Sequence, residues 1–419
     1  MSTGDTAWML ASAALVLFMT PGLALFYGGM VRAKHVLGML MQNFFAMGLV
    51  SVLWAVIGFS LAFGPDLGRG LLGDLTHVGL SELLGGTVAD KVAGDAFNAV
   101  KFPALLFALY QMMFAIITPA LFTGAAADRM KFSGYVWFLG LWSLLVYSPV
   151  AHWVFSPTGW AFKLGALDFA GGTVVHINAG IAALALVIVL GKRRGWPGEA
   201  MTPHSLPLTL LGTGILWFGW FGFNAGSALG ANELAASAFA NTHLAASAAL
   251  LGWLVAEKVK TGHATTLGAA SGAVAGLVAI TPCAGFVSPM AAIVIGATAG
   301  AGCLLAIQLK FRLGYDDALD VVGIHLVGGI IGSLLLGLFA TRVVNAAGAD
   351  GLFYGGGLAL LGKQLAAVIA TLVYSFVMSL LIAKALDRII GLRVSDEQEL
   401  IGLDESLHSE RAYQVSESI

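Results

Sequence analysis

The sequence predicts an all-α integral membrane protein. Eleven transmembrane helices are expected, arranged as an inverted 5+5 repeat plus one C-terminal helix. Three observations predict it: the composition, the row of long apolar stretches, and an Asp-to-His spacing that occurs once in each half. Of 419 residues, 58% are apolar and 11% charged, and mean hydropathy is +0.88. A soluble domain carries about 25% charged residues, so this chain is built to sit in lipid. The net charge of −2 carries no information about nucleic acid, and no basic cluster is long enough to track phosphates. Cys283 and Cys303 fall in or beside apolar stretches with no CxxC or metal spacing, and read as packing residues.

Crossing a hydrocarbon core of roughly 30 Å takes about 20 apolar residues. Such runs start near Ala7, Leu40, Phe102, Ser133, Phe169, Ser205, Ala236, Ala264, Phe286, Val321 and Gly355. The leading "MSTGD" is acidic rather than basic, so no cleaved signal peptide is expected. Basic residues set the orientation. With the N-terminus outside, five short inner loops hold Arg32, Lys34, Arg129, Lys131, Lys192, Arg193, Arg194, Lys258, Lys260, Lys310 and Arg312. The longer outer segments hold only Arg69, Lys91, Lys101, Lys163, Arg342 and Lys363. The start is therefore expected outside and the tail inside.

Residues 1–386 read as one transmembrane domain and 387–419 as a charged cytoplasmic tail, with a helix expected after Ser395 and Glu397 and Glu399 in its first turn. The outer connection from about Gly64 to Lys101 is the other stretch independent of the bilayer. Within the domain, Asp168 and His176 are eight residues apart, as are Asp317 and His325. "LALFYGGM" of helix one also parallels "WFGFNAGS" of helix six. Helices one to five thus match six to ten. Five is odd, so the halves, about 7–195 and 205–340, must be inverted.

Eight residues of α-helix rise about 12 Å, so a histidine that far below a boundary aspartate lies close to the midplane. Entering from opposite faces, helices five and ten bring His176 and His325 to one depth. A single intramembrane histidine can be structural; two at matched positions point to a pathway or relay. A metal site needs a third ligand near the pair, and none offers itself. No nucleophile elbow, P-loop or carboxylate pair at membrane depth suggests an enzyme, and no cofactor is expected.

The stretches "DFAGGTVVHINAG", "GWFGFNAGSA", "DVVGIHLVGG" and "GLRVSDEQELIGLD" resemble the ammonium transporter family (Amt/Rh), on the prokaryotic Amt side, over nearly the whole chain. The resemblance implies a multi-pass protein of the cell membrane, the inner membrane in a bacterium. It also implies a homotrimer in which each subunit has its own apolar pore lined by twin histidines, here His176 and His325. Ammonium would be recruited outside, deprotonated, and passed as ammonia with a proton relayed along the pair; passive ammonia conduction uses the same residues and stays open. The family's outer cage maps to Phe114, with Tyr110 beside it in "YQMMF", and to Ser227 in "FNAGS". Its tryptophan is replaced: the family's AH-x-V-W reads "AHWVF" here, so that Phe155, Trp153 or Trp160 takes the place. Phe114 and Phe223 would form the gate. Trp220 is a pore-lining or packing residue. Asp168, Asp317 and Asp320 are supporting residues, Asp168 through an N-cap and the other two doing the same for helix ten. In many prokaryotic members a trimeric PII signalling protein docks at the cytoplasmic pore mouth, beneath which the tail coordinates subunits. An ammonium sensor of the same fold is the alternative to a transporter; sensors often carry a fused signalling domain, and the tail here is short.

Overall fold

The computed structural model describes residues 1–413; the last part of the charged tail lies outside the described residues. Among those residues every regular element is helical. Ten helices are long and apolar enough to cross a membrane: α1 (Thr3–Met30), α2 (Ala33–Phe63), α3 (Ala104–Ala126), α4 (Phe132–Leu164), α5 (Gly172–Leu190), α6 (Leu206–Ala228), α7 (Glu233–Thr261), α9 (Pro289–Leu313), α10 (Val322–Phe339) and α11 (Ala359–Ile390). Between α7 and α9 lies α8 (Thr266–Ile280), apolar but 15 residues long. The sequence predicts eleven spans; α8 is shorter than a span because the chain turns after Ile280. The carbonyls of Thr281 and Pro282 there accept the N–H groups of Ala170 and Phe169.

Helix starts follow local chemistry. Ser205 accepts from the Leu208 N–H at the head of α6, Asn232 from Ala235 at α7, and Ser288 from Ala291 at α9, where Pro289 supplies a preset φ. Gly262, at φ +84, closes α7 in the left-handed conformation. With little polar surface to bury, the helices hold together by close approach, which small residues permit. α6 lies along α1, and at Gly212 an added Cβ would run into the Phe26 backbone.

Four wide, π-type turns interrupt the helices, at Trp54–Gly58, Ser143–Tyr147, Gly172–Ile177 and Val322–Leu326. The last two contain His176 and His325. The depth arithmetic from the sequence is corrected here. Residues 169–171 are not helical and Gly171 sits at φ +118, so His176 lies about one turn into α5 rather than eight helical residues below Asp168. α5 and α10 run in opposite directions: the chain leaving α5 meets the chain entering α10 through Arg193 and Asp316, paired at 2.8 Å.

The tail forms two short helices, α12 (Asp396–Ile401), capped by Ser395, and α13 (Leu403–His408). It folds back onto its own chain. Asp404 accepts the Gly38 N–H at 2.8 Å at the start of α2, and Glu399 accepts the Arg194 N–H at 2.7 Å and pairs with Arg393 at 2.9 Å. We call this end the tail side and the opposite end the far side.

Candidate functional site

At the centre, the Nδ1 atoms of His176 and His325 lie 3.2 Å apart, with the rings 5.3 Å between centroids and 24° from parallel. Both side chains are buried. One Nδ1 must carry the hydrogen and the other the lone pair, so two neutral rings satisfy the contact whereas two imidazoliums would place donor against donor. His176 Nε2 has no hydrogen-bond partner. The rings border a narrow chamber of about 10 Å³, lined also by Leu23, Leu121, Val175 and Val274, close to the smallest volume that admits one water-sized molecule. Trp220 lines it too, stacked on His176 at 5.5 Å and held by its indole N–H donating to Thr281 Oγ1 at 2.9 Å.

Asp168 sets up this geometry. Its Oδ1 accepts from Gly171 and Gly172 at 2.8 and 2.7 Å, and its Oδ2 from Thr173 and Val174 at 2.8 and 3.3 Å, covering the orphan donors at the head of α5. Burial raises its carboxyl above the ordinary range against the pull of those bonds. Asp317 does the same for α10, accepting from Val321 and Val322 at 3.0 and 2.7 Å; burial, then the charge of Asp320, pushes it up to about 6. Asp320 departs from the expectation. Its carboxylate caps nothing and pairs with Lys310 Nζ at 2.6 Å, because α9 ends beside it and brings a cation closer than the backbone donors.

On the far side, Phe114 and Phe223 stack at 4.1 Å and 28°, with Phe223 lining the chamber. Above them opens a vestibule of about 210 Å³ onto which Gln111, Phe114, Phe155, Asp168, Phe169 and Ser227 face. Phe155 stands edge-on to Phe114 at 6.3 Å. Ser227 donates to the Phe223 carbonyl at 2.8 Å. Tyr110 stays behind this wall, fully buried, its hydroxyl 3.0 and 2.9 Å from the Gly222 and Phe223 carbonyls and 3.2 Å from Ser227 Oγ. It braces the end of α6 rather than facing the vestibule.

Trp153 is not brought to the site. Its indole donates to the Leu71 carbonyl at 2.8 Å and its ring meets Tyr374 and Trp160, since residues two apart on a helix point to opposite sides. Of the three aromatics weighed for the missing tryptophan, Phe155 occupies the vestibule. Sequence reasoning missed Gln111, whose side-chain carbonyl is buried without a partner. Its signal was one turn of helix: three residues before Phe114, it shares that ring's face.

The tail-side mouth, about 460 Å³, is lined by charged groups that largely answer one another. Arg32 pairs with Asp128 at 3.0 Å, and Arg193 lies 3.5 Å from Asp128 and 2.8 Å from Asp316. Burial opposes charge on Asp316, but the hydrogen-bonded Arg193 guanidinium outweighs it and holds the carboxyl below its usual range.

A profile described as Ammonium Transporter Family matches residues 7–413. An ammonium transporter of Mycobacterium tuberculosis is 54% identical over 98% of this chain and 90% of its own length, and one of Bacillus subtilis 49% identical over 99% and 100%. Among solved structures, Saccharomyces cerevisiae Mep2 superposes with a TM-score of 0.87 at 38% identity, covering 95% of this chain and 88% of that one. A protein described as Sensor Amt Protein superposes at 0.85 with 29% identity, covering 96% and 97%. Matched from near its first residue to the last one described, with the paired histidines at its centre, the chain belongs to the ammonium transporter family.

Proposed function

We propose that the chain carries ammonium across a membrane, and that His176 and His325 are the point where the proton and the ammonia are handled. The observation that carries this is the 3.2 Å contact between two buried imidazoles bordering a chamber of one-molecule width behind a closed pair of phenylalanines. The energetics favour splitting the ion. A bare cation in apolar surroundings costs on the order of tens of kcal/mol, whereas removing a proton from an amine of pKa about 10.4, a stand-in for ammonium, costs roughly 4 to 5 kcal/mol at pH 7. Ammonium binds against Phe114, Phe155 and Ser227, where cation-π attraction separates it from water, with the Gln111 carbonyl as a further acceptor. It gives up its proton there, ammonia passes the Phe114–Phe223 gate, and the proton follows along His176 and His325.

The same reading places the N-terminus outside and the tail in the cytoplasm, counts α8 with the turn after it as the eleventh crossing, and takes α1–α5 and α6–α10 as inverted repeats. It assembles the chain as a homotrimer in the cell membrane, the inner membrane in a bacterium, with the tail-side mouth open to a PII signalling protein. A sensor is the second reading, favoured by the likeness to the Sensor Amt Protein.

Solid-supported-membrane recording on proteoliposomes given an ammonium jump decides. A transient current in wild type that vanishes in His176→Ala/His325→Ala supports proton-coupled transport. Ammonia entry reported by an internal pH dye with no current makes the chain a passive channel, and neither signal leaves the sensor.

A further inference from the structure

The far-side end of α4 holds a histidine that two acceptors claim at once. His152 is fully buried one helical turn before Phe155. Its Nδ1 lies 2.9 Å from the Ala62 carbonyl of α2; a carbonyl only accepts, so Nδ1 carries a hydrogen. Its Nε2 faces Asp66 Oδ1 at 3.5 Å and has no hydrogen-bond partner among the described residues. In a neutral ring that nitrogen would be a bare lone pair set against a carboxylate, acceptor opposing acceptor out of reach of water. An imidazolium removes the conflict: it donates to the carbonyl on one side and pairs with the opposite charge on the other.

Asp66 is suited to that part. Both its oxygens lie 3.0 Å from the Gly70 N–H. Burial opposes its charge, but the Gly70 and Gly68 N–H groups and the His152 ring outweigh it and hold the carboxyl below its usual range. Lys163, near the end of α4, is the other charged group acting on the ring; α3, which meets this end of α4 through Phe114 and Phe155, has no charged residue. The pair also ties two parts of the chain together. Residues 65–74, which follow α2, lie against the end of α4, where the Trp153 indole donates to the Leu71 carbonyl at 2.8 Å and the Trp160 N–H to the Gly70 carbonyl at 3.1 Å. That same end of α4 supplies Val154, Phe155 and Phe162 to the vestibule.

We propose that His152 is a positioning residue, held as an imidazolium by Asp66, and that this pair fixes Phe155 in the vestibule, so that ammonium binding weakens when rising far-side pH strips the ring of its proton. The inference rests on the reading of the vestibule as the ammonium site. Asp66, whose side chain is 17% exposed, is the route by which the buried ring exchanges its proton with solvent. With the proton gone, Nε2 and the carboxylate repel each other. Residues 65–74 then lose a tie to α4, and Phe155 loses its fixed place one turn on.

The test uses the full chain in proteoliposomes. Nitrogen-15 spectra of histidine-labelled protein read the ring directly, the His152 signals being those lost in His152→Gln. Concentration series of the ammonium-evoked current from about pH 6 to about pH 9, plotted against ammonium ion rather than total ammonia, read the binding. Near neutral pH both His152 nitrogens are expected to be protonated in wild type and only one in Asp66→Asn. The wild-type half-saturating concentration is expected to rise about threefold across the range, the scale of one aromatic face, while His152→Gln and Asp66→Asn stay flat at the weaker value. Asp66→Asn carries both readouts by itself where His152→Gln does not fold, since it changes the signals of one ring. A neutral His152 in wild type near neutral pH, or pH profiles of wild type and Asp66→Asn that superimpose, overturns the proposal and leaves the ammonium site standing. A wild type with neither ammonium-evoked current nor uptake overturns the ammonium site and the proposal with it.

Discussion

His176 and His325 come from helices that run in opposite directions, yet meet Nδ1 to Nδ1 at 3.2 Å in a buried, apolar surrounding. The contact holds one hydrogen between two nitrogens, so on the proposed relay the pair would conduct by exchange rather than by storing charge, and removing either ring would break the chain of donors. His176→Ala and His325→Ala are each expected to lower the ammonium-evoked current about a hundredfold, the scale of one positioned proton-transfer group, while ammonia entry followed by an internal pH dye persists.

Phe155 stands where the family commonly has tryptophan, and tryptophan is the strongest cation-π face. Phe155→Trp is expected to lower the ammonium concentration for half-maximal current about threefold, with little change at saturation. Gln111→Leu, which removes the unpartnered carbonyl from the same vestibule, is expected to raise it by a similar factor. Concentration series of the current check both.

Asp168 answers four backbone donors with two oxygens. Asp168→Asn keeps one acceptor and turns an amide toward the other N–H groups. Leaving buried donors unanswered costs about 1 to 3 kcal/mol each. A lower melting temperature in detergent is expected, together with loss of current, because the cap holds the turn that aims His176.

Acid is expected to attack the tail side first. An unpaired aspartate titrates near pH 3.9. Asp316 titrates lower when folded, the Arg193 guanidinium outweighing burial, and Asp128 does so beside His35, Arg193 and Arg32. Depressed folded values mean that this stability is complete above about pH 3.9 and is lost as pH falls through the folded pKa. Asp317 has the opposite sign: raised to about 6, it favours the fold most below its unfolded pKa and loses that contribution as pH rises through about 6. Melting curves from pH 7 to 3 should fall at the acid end. Arg193→Gln, which strands buried carboxylates, is expected to cost about 3 kcal/mol at pH 7 and to flatten that acid limb.

Much of the fold was legible because an apolar run long enough to cross lipid has few alternatives, and helices begin within a few residues of where hydropathy rises. The pairing of His176 with His325 was legible because equal spacing in oppositely running halves leads to one depth. Distances along the chain were not: the Asp168-to-His176 interval holds a glycine at positive φ, which a helical count of rise cannot see. Asp320 was misjudged because Lys310 arrives from a different helix. The choice of Phe155 over Trp153 was readable in principle from helical phase, and so was Gln111, one turn from Phe114. What no local pattern reveals is Glu399 bonded to the Arg194 N–H, 205 residues away.

The tail's grip has a consequence for biosynthesis. Gly38 leaves the ribosome 366 positions ahead of Asp404, the carboxylate that answers its N–H. Until the tail has emerged, the Gly38 N–H lacks its acceptor and the segment joining the halves lacks its Glu399 anchor. A chain truncated before Ser395 is expected to thread α1–α11 into lipid, with α6 still along α1 and Arg193 still paired to Asp316, while the Gly38 and Arg194 N–H groups stay unanswered.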